Sequence, residues 1–227
     1  MEGIPPRDRI RTVTIPPVGL EGVLGLPTEA KGIVLFAHGS GSGRFSPRNN
    51  FVARALRAAG LATLLFDLLG VEEARNRRNV FDIELLAKRL LMARAWVTQD
   101  RETTDLPIGY FGASTGAAAA LVAEAAYQRP VAAIVSRGGR PDLAGAALAA
   151  VKAPTLLIVG GNDIEVLALN SAALAGLRCE KELVIVPGAT HLFEEPGTLE
   201  AVVEHARGWF SAHFAEADPS PVRPAGR

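Results

Sequence analysis

Short apolar runs alternate with helical segments along this chain of 227 residues, and that alternation constrains its fold more than any other feature. The runs are four to six residues long and rich in Val, Ile, Leu and Phe. Strands buried on both faces of a parallel sheet have this near-continuous hydrophobicity. Strands that alternate with helices predict βαβ units and a doubly wound α/β sheet. The predicted strands are residues 32–37, 61–66, 107–111, 131–135, 155–159 and 183–186.

The segments between these strands carry the periodicity of amphipathic helices. In residues 82–97, for example, Leu and other apolar side chains recur at spacings of four, three and four. Residues 11–15 and 20–26 flank a Pro-Pro-Val-Gly turn, and we expect them to form an antiparallel hairpin ahead of the parallel strands. The predicted helices are residues 50–59, 82–97, 114–127 and 199–214.

Composition and charge exclude several classes of protein. Lys plus Arg and Asp plus Glu both number 24, so the chain lacks the net positive charge that attracts nucleic acid or an anionic membrane surface. No apolar run approaches the length of a membrane span, and the N-terminus lacks a signal-peptide core. The single cysteine, Cys179, excludes an intramolecular disulfide and a Cys-rich zinc site. We therefore expect a cytoplasmic protein, with one domain over residues 1–215 and a flexible Pro-rich tail over residues 216–227.

A Gly-x-Ser-x-Gly motif follows the predicted strand at residues 107–111 and opens an Ala-rich helix. This strand–turn–helix context is the one that a nucleophile elbow requires, with Ser114 at the apex of a sharp turn. Gly112 and Gly116 are expected where side chains would collide across that turn. Ser114 is therefore the candidate nucleophile, and it lies at the carboxyl edge of the sheet, where ligands bind in open α/β folds.

A serine nucleophile needs a base and an acid that orients the base. Asp163 follows one predicted strand and His191 follows the last, so both reach the same sheet edge as Ser114 in the order Ser, Asp, His. Asp67 also follows a strand and competes with Asp163 for the acid role, and Glu165 is a weaker competitor. We predict a catalytic triad of Ser114, Asp163 and His191.

The glycine-rich loop at residues 38–43 is expected to complete an oxyanion hole. One donor is the backbone N–H of Thr115, directly after the nucleophile, and the other is that of Ser40 in the loop. The alternative, a phosphate-binding loop, is disfavoured because the loop lacks the Gly-Lys-Ser/Thr ending of a Walker A motif. His38 is expected to orient the loop by hydrogen bonding.

Four arginines, Arg44, Arg48, Arg137 and Arg140, flank loops at the predicted active edge. One of them could bind a carboxylate or phosphate of the substrate through a bidentate contact, and Arg44 and Arg137 are the first candidates. The alternative is that they are solvated or cap local carbonyls. Loop position further suggests Leu68, Leu69 and Phe193 as lining of the acyl pocket.

The segments at residues 38–43, 112–116, 160–163 and 188–191 resemble those of the α/β-hydrolase superfamily, and more narrowly its dienelactone-hydrolase-like branch. The chain is also similar to the hydrolase domain that some bacterial proteins carry fused to a phosphoribosyltransferase domain. The resemblance covers residues 10–215 and implies an eight-stranded, mostly parallel sheet with helices on both faces and no large cap. Dienelactone hydrolases have Cys at the elbow, where this chain has Ser114.

The resemblance implies hydrolysis of carboxylic esters, including small or externally presented esters and lactones, through an acyl-enzyme without metal or other cofactor. The expected partner is a small-molecule ester. Two alternatives remain open: a thioesterase or acyltransferase, and a non-catalytic binding domain that keeps the hydrolase scaffold.

Overall fold

An eight-stranded sheet forms the centre of the computed structural model, which describes residues 8–217. Its strands lie in the order β1-β2-β4-β3-β5-β6-β7-β8. β2 is antiparallel to both β1 and β4, and the remaining neighbours are parallel. The predicted hairpin and the predicted mostly parallel, eight-stranded sheet are therefore confirmed. The strands are β1 (Arg9–Ile15), β2 (Leu20–Leu26), β3 (Ile33–Ala37), β4 (Ala62–Phe66), β5 (Ile108–Ala113), β6 (Ala133–Arg137), β7 (Thr155–Gly160) and β8 (Lys181–Val186).

Within residues 8–217, seven α-helices accompany the sheet, and the longer ones cover both of its faces. Helices α1 and α7 pack on one face, and α4 and α5 pack on the other with a 3₁₀ segment, Pro141–Ala150. Because β3 to β7 are covered on both sides, their side chains are almost all buried. The helices are α1 (Pro47–Ala58), α2 (Val71–Arg75), α3 (Arg77–Val80), α4 (Ile83–Val97), α5 (Thr115–Ala125), α6 (Ile164–Gly176) and α7 (Thr198–Ala217).

Three segments differ from the sequence-based prediction. Strand β6 extends to Arg137, so this arginine belongs to the sheet and not to a loop. The charged stretch after β4 folds into α2 and α3, and α6 follows Asp163 where no helix was predicted. The helical pattern of α6 is weak in the sequence because only Val166, Asn170 and Ala173 of its side chains are buried.

The C-terminal helix reaches Ala217, so it takes in the first two residues of the predicted tail. The rest of that tail, residues 218–227, lies outside the described residues. Within residues 8–217, no helix combines the length and apolar character needed to cross a bilayer.

Helix α5 starts against the end of β3 with almost no space between the two backbones. A Cβ atom placed on Gly116 would lie 2.0 Å from the carbonyl oxygen of Ala37 and 2.7 Å from that of His38. The second glycine of the elbow motif is thus required by the neighbouring strand. The first, Gly112, is required across the turn itself, since its Cβ would lie 2.4 Å from Cα of Ala117.

We predict that Gly116→Ala lowers the free energy of unfolding by about 1–3 kcal/mol, the usual cost of overpacking, because the new methyl group meets backbone that cannot yield. Gly208→Ala is the matched control, since Gly208 is an exposed residue of α7 with no atom near its Cβ position. In a helix interior that change is expected to stabilise by up to about 1 kcal/mol. Urea denaturation of both variants measures the difference, and equal stabilities would contradict the packing argument.

Candidate active site

Ser114 sits at the apex between β5 and α5 in a strained backbone conformation, with φ 50° and ψ −124°. A non-glycine residue in this region costs about 1–3 kcal/mol, so the surrounding structure must hold it there. The carbonyl oxygen of Ser114 accepts hydrogen bonds from the amides of Ala117 (3.1 Å) and Arg140 (3.0 Å). Gly39 presses on the other side, where a Cβ would lie 2.8 Å from Cβ of Ser114. The turn therefore fixes the serine at the carboxyl edge of the sheet.

Asp163 and His191 meet at the same edge. Nδ1 of His191 lies 2.7 Å from Oδ2 of Asp163, and the carboxylate accepts a hydrogen bond from the ring N–H. The Asp163 side chain is 14% exposed and that of His191 is 39% exposed, so the acid is shielded while the ring remains accessible. Ser114 Oγ forms no hydrogen bond with His191 among residues 8–217; such contacts are often long in free enzymes and tighten with substrate.

The loops that carry the acid and the base are tied to each other. A Cβ on Gly160 would lie 2.4 Å from the carbonyl oxygen of Ala189, so the two loops touch through their backbones. The amide of Asn162 donates to the same oxygen at 2.9 Å, and its side chain donates to Gly188 at 3.0 Å. These contacts hold the loops of Asp163 and His191 in a fixed relative position, although the two residues follow different strands.

The two competing carboxylates lie elsewhere. Asp67 accepts hydrogen bonds from the backbone N–H of Arg44 at 2.7 Å and from its guanidinium. Glu165 is exposed in the first turn of α6. Of the three carboxylates that sequence reasoning considered, Asp163 is therefore the one that contacts His191.

The amides proposed for the oxyanion hole lie beside the nucleophile. Thr115 is the first residue of α5 and Ser40 follows Gly39, which contacts Ser114. Within the described part of the chain, neither amide donates to a backbone or side-chain acceptor. Both are thus free to donate to a ligand.

His38 fixes the loop that carries Ser40. Its Nε2 accepts a hydrogen bond from the amide of Leu68 at 3.0 Å, so the proton must sit on Nδ1, which donates to the carbonyl of Gly39, also at 3.0 Å. Burial lowers the pKa of His38, opposed by its hydrogen bond to Gly39 and by the charge of Asp67. A neutral imidazole with one donor and one acceptor satisfies both backbone partners.

A cavity of about 640 Å³ opens next to Thr115 and the glycine loop. One wall is the loop itself with the start of α1, and the opposite wall is apolar. The apolar wall comes partly from α2 and α3, which contribute Val71, Ala74 and Val80 to the lining and no charged residue. The spacing of those three apolar residues is the signal by which the sequence could have revealed this wall. Its apolar residues are Leu69, Val71, Ala74, Val80 and Leu86.

Of the three apolar residues suggested for the acyl pocket, Leu69 lines the cavity. Leu68 is fully buried and is not part of the lining. Phe193 is 2% exposed and belongs to the core between the sheet and helices α1 and α7, with φ 54°. It lies two residues after His191, so its buried ring anchors the loop of the base.

Three of the four arginines at this edge are engaged by carboxylates. Arg44 pairs with Asp67 and, at 2.5 Å, with Glu21. Arg48 pairs with Glu194 at 2.9 Å, and Arg140 binds both oxygens of Asp142 at 2.7 and 2.8 Å. Arg137 is 8% exposed and forms no ion pair with another residue of the described range 8–217.

Within residues 8–217, no group of three or more His, Cys, Asp or Glu side chains is arranged to hold a metal ion.

Comparison with known proteins places this geometry in a family. The crystal structure of a dienelactone hydrolase from Anabaena variabilis is 56% identical, covers 92% of this chain and 99% of its own, and superposes with a TM-score of 0.87. Est1E from Butyrivibrio proteoclasticus covers 90% of this chain and 99% of its own with a TM-score of 0.74. At 17% identity that second likeness shows the fold alone.

A Mycobacterium tuberculosis protein provisionally named a phosphoribosyl transferase is 58% identical over 216 residues, which is 95% of this chain and 49% of that protein. The chain thus spans about half the length of the curated relatives it matches. A search of protein-family models found no match. On the likeness to the Anabaena protein over nearly the whole of both chains, this chain belongs to the dienelactone-hydrolase-like branch of the α/β-hydrolase superfamily.

Proposed function

We propose that this chain is a serine hydrolase that cleaves carboxylic esters through an acyl-enzyme. The observation that carries the proposal is the 2.7 Å contact between His191 and Asp163 at the sheet edge where Ser114 is held in a strained turn. A shielded acid that orients an accessible imidazole near a serine is the arrangement that activates a hydroxyl nucleophile.

In the proposed reaction, Nε2 of His191 takes the proton from Ser114 Oγ as that oxygen attacks the ester carbonyl. Asp163 keeps the proton of Nδ1 in place and stabilises the imidazolium. The oxyanion of the tetrahedral intermediate accepts hydrogen bonds from the amides of Thr115 and Ser40. His191 then gives its proton to the leaving alcohol, and a water activated by the same ring releases the acid from Ser114.

The cavity supports small or externally presented esters, and lactones, as substrates. Its 640 Å³ is in the range of small-molecule sites, and it opens beside both proposed oxyanion donors. Phe45 and Val71 lie at its rim and are 72% and 77% exposed, so the cavity is not closed by a cap at that point. We place the apolar part of the ester against Leu69, Val80 and Leu86.

Thioester hydrolysis would use the same triad with a thiol as the leaving group. Acyl transfer would use it with an acceptor other than water. A purely binding role is less consistent with Ser114, because a non-catalytic domain gains nothing from a backbone strain of about 1–3 kcal/mol at this position. The transferase name belongs to a protein about twice as long as this chain, and the proposal for this part rests on Ser114, Asp163 and His191 alone.

Ser114→Ala is expected to lower kcat for 4-nitrophenyl acetate by a factor on the order of 10³ or more, since nothing else can form the acyl-enzyme. The wild type should also take up one equivalent of a fluorophosphonate label, and the variant none. Ser171→Ala is the control, because Ser171 is exposed on α6 and its hydroxyl bonds only to the carbonyl of Leu167. Wild-type turnover in Ser114→Ala would rule out the assignment.

Asp163→Asn and Asp67→Asn distinguish the two acids. Asp163→Asn is expected to lower kcat by a factor of about 10⁴, because an amide favours the wrong imidazole tautomer. Asp67→Asn should leave kcat within about tenfold, since Asp67 pairs with Arg44 and not with His191. Circular dichroism checks that both variants fold, and the opposite order of activities would show that Asp67 is the acid.

The buried, neutral His38 predicts a pH dependence of stability. Burial lowers its pKa in the folded protein, so as the pH falls through about 6.5 the unfolded chain binds a proton that the folded chain does not. The free energy of unfolding should therefore decrease as the pH is lowered below 6.5, and His38 should account for up to about 1.4 kcal/mol of that decrease per pH unit. Urea unfolding between pH 7.5 and 5.5 should show that His38→Asn loses less free energy of unfolding than the wild type as the pH is lowered. Equal losses in the two proteins would contradict this account.

A further inference from the structure

Arg137 is buried next to the turn that carries Ser114, and it has no hydrogen-bond or ion-pair partner among residues 8–217. Its Cα pairs across the sheet with Ala113, the residue before Ser114, and adjacent strands lie about 4.8 Å apart. Its side chain is among the buried charged groups, at 8% exposure for the residue. Within the described residues, neither Nε nor Nη1 has a hydrogen-bond acceptor. Two of the three guanidinium nitrogens are therefore both shielded from water and unsatisfied.

The alternation of side chains along β6 puts Arg137 on the α1 face of the sheet. Side chains alternate along a strand, and Ser136 points to the α5 face, where its Oγ lies 2.0 Å from a Cβ position on Gly139. Arg137 thus points to the α1 face, which it shares with Val135. The next residue, Gly138, lies against the loop of the base, with its Cβ position 3.0 Å from the carbonyl oxygen of His191.

Arg48 lines the cavity, and its positive charge acts on Arg137. Burial, and secondarily the positive charge of Arg48, lowers the pKa of Arg137 to about 10, so Arg137 still carries its charge at neutral pH. Arg48 pairs with Glu194, whose side chain is 62% exposed, and its own Nε is buried without an acceptor among residues 8–217. Within residues 8–217, Glu194 is thus the one carboxylate that pairs with either guanidinium, and it pairs with Arg48.

An uncompensated buried charge is strongly unfavourable, and arginine does not escape it by losing its proton. The charge balance indicates what is missing. Two arginines and the N-terminus of α1, worth about half a charge, exceed the single charge of Glu194 by about 1.5. A phosphate monoester carries about −1.5 to −2 at neutral pH, and guanidinium groups bind it bidentately.

We propose that Arg137 and Arg48 bind a phosphate group carried by the substrate, so that the ester cleaved at Ser114 belongs to a phosphorylated molecule. The proposal rests on the proposed function for the position of the ester. Phosphate binding itself is measured without turnover, so the two proposals can fail separately.

Calorimetric titration of the full chain with inorganic phosphate, at constant ionic strength and with acetate as the comparison anion, tests the site. We expect phosphate to bind the wild type and Ser114→Ala equally, and to bind Arg137→Met about tenfold or more weakly. Arg48→Met should weaken it as well, and Arg178→Met, which alters an exposed arginine of the α6–β8 loop, should not. Phosphate should also raise KM for 4-nitrophenyl acetate in the wild type without changing kcat.

Two further measurements keep the proposal testable whatever the effect on folding. In phosphate-free buffer Arg137→Met is expected to raise Tm, because it removes an unpaired buried charge, whereas a structural cation would give a lower Tm. Phosphate should raise the Tm of the wild type and not that of Arg137→Met. Phosphate affinity that is unchanged by Arg137→Met would overturn the proposal, and so would acetate binding as tight as that of phosphate.

Discussion

The close approach of three backbone segments at Ser114 is the constraint on which the rest of this structure depends. Gly112 lets the chain reverse, Gly116 lets α5 start against β3, and Gly39 lets the next loop cover the serine. Each contact would be closer than van der Waals distance for any other residue. The positive φ of Ser114 persists because β3, β5 and α5 over-determine the turn, and the same contacts bring the Ser40 and Thr115 amides beside it.

Electrostatics at this edge follow from how few groups remain uncompensated. His38 is neutral because burial lowers its pKa and because both ring nitrogens have backbone partners. Arg44 is neutralised by Asp67 and Glu21, so Asp67 pairs with an arginine and not with His191. What remains is the accessible ring of His191, oriented by Asp163, and the buried cation of Arg137. The field that a substrate meets is therefore set by a small number of residues.

The sequence predicted the sheet and the candidate triad because both depend on local patterns. Continuous apolar runs identify buried strands, and parallel strands bring Asp163 and His191 to one edge wherever the intervening helices lie. The sequence-based prediction was wrong or incomplete where contacts between distant parts of the chain determine the local structure. Strand β6 continues through Ser136 and Arg137 because β5 and β7 pair with it there, although neither residue has an apolar side chain. The apolar wall of the cavity was not predicted because the three residues of α2 and α3 that line it are surrounded in the sequence by charged residues.

The two most unfavourable features of the molecule are neighbours in space. Ser114, with its strained backbone, directly follows β5, whose last residue, Ala113, pairs with Arg137, the cation that has no partner among residues 8–217. Each costs stability, and a scaffold that served only to fold would lose both to relaxation or substitution. In the proposed reaction the strained serine attacks a carbonyl carbon, and a buried cation needs an anion to balance it. A single small substrate that carries an ester and an anionic group would satisfy both.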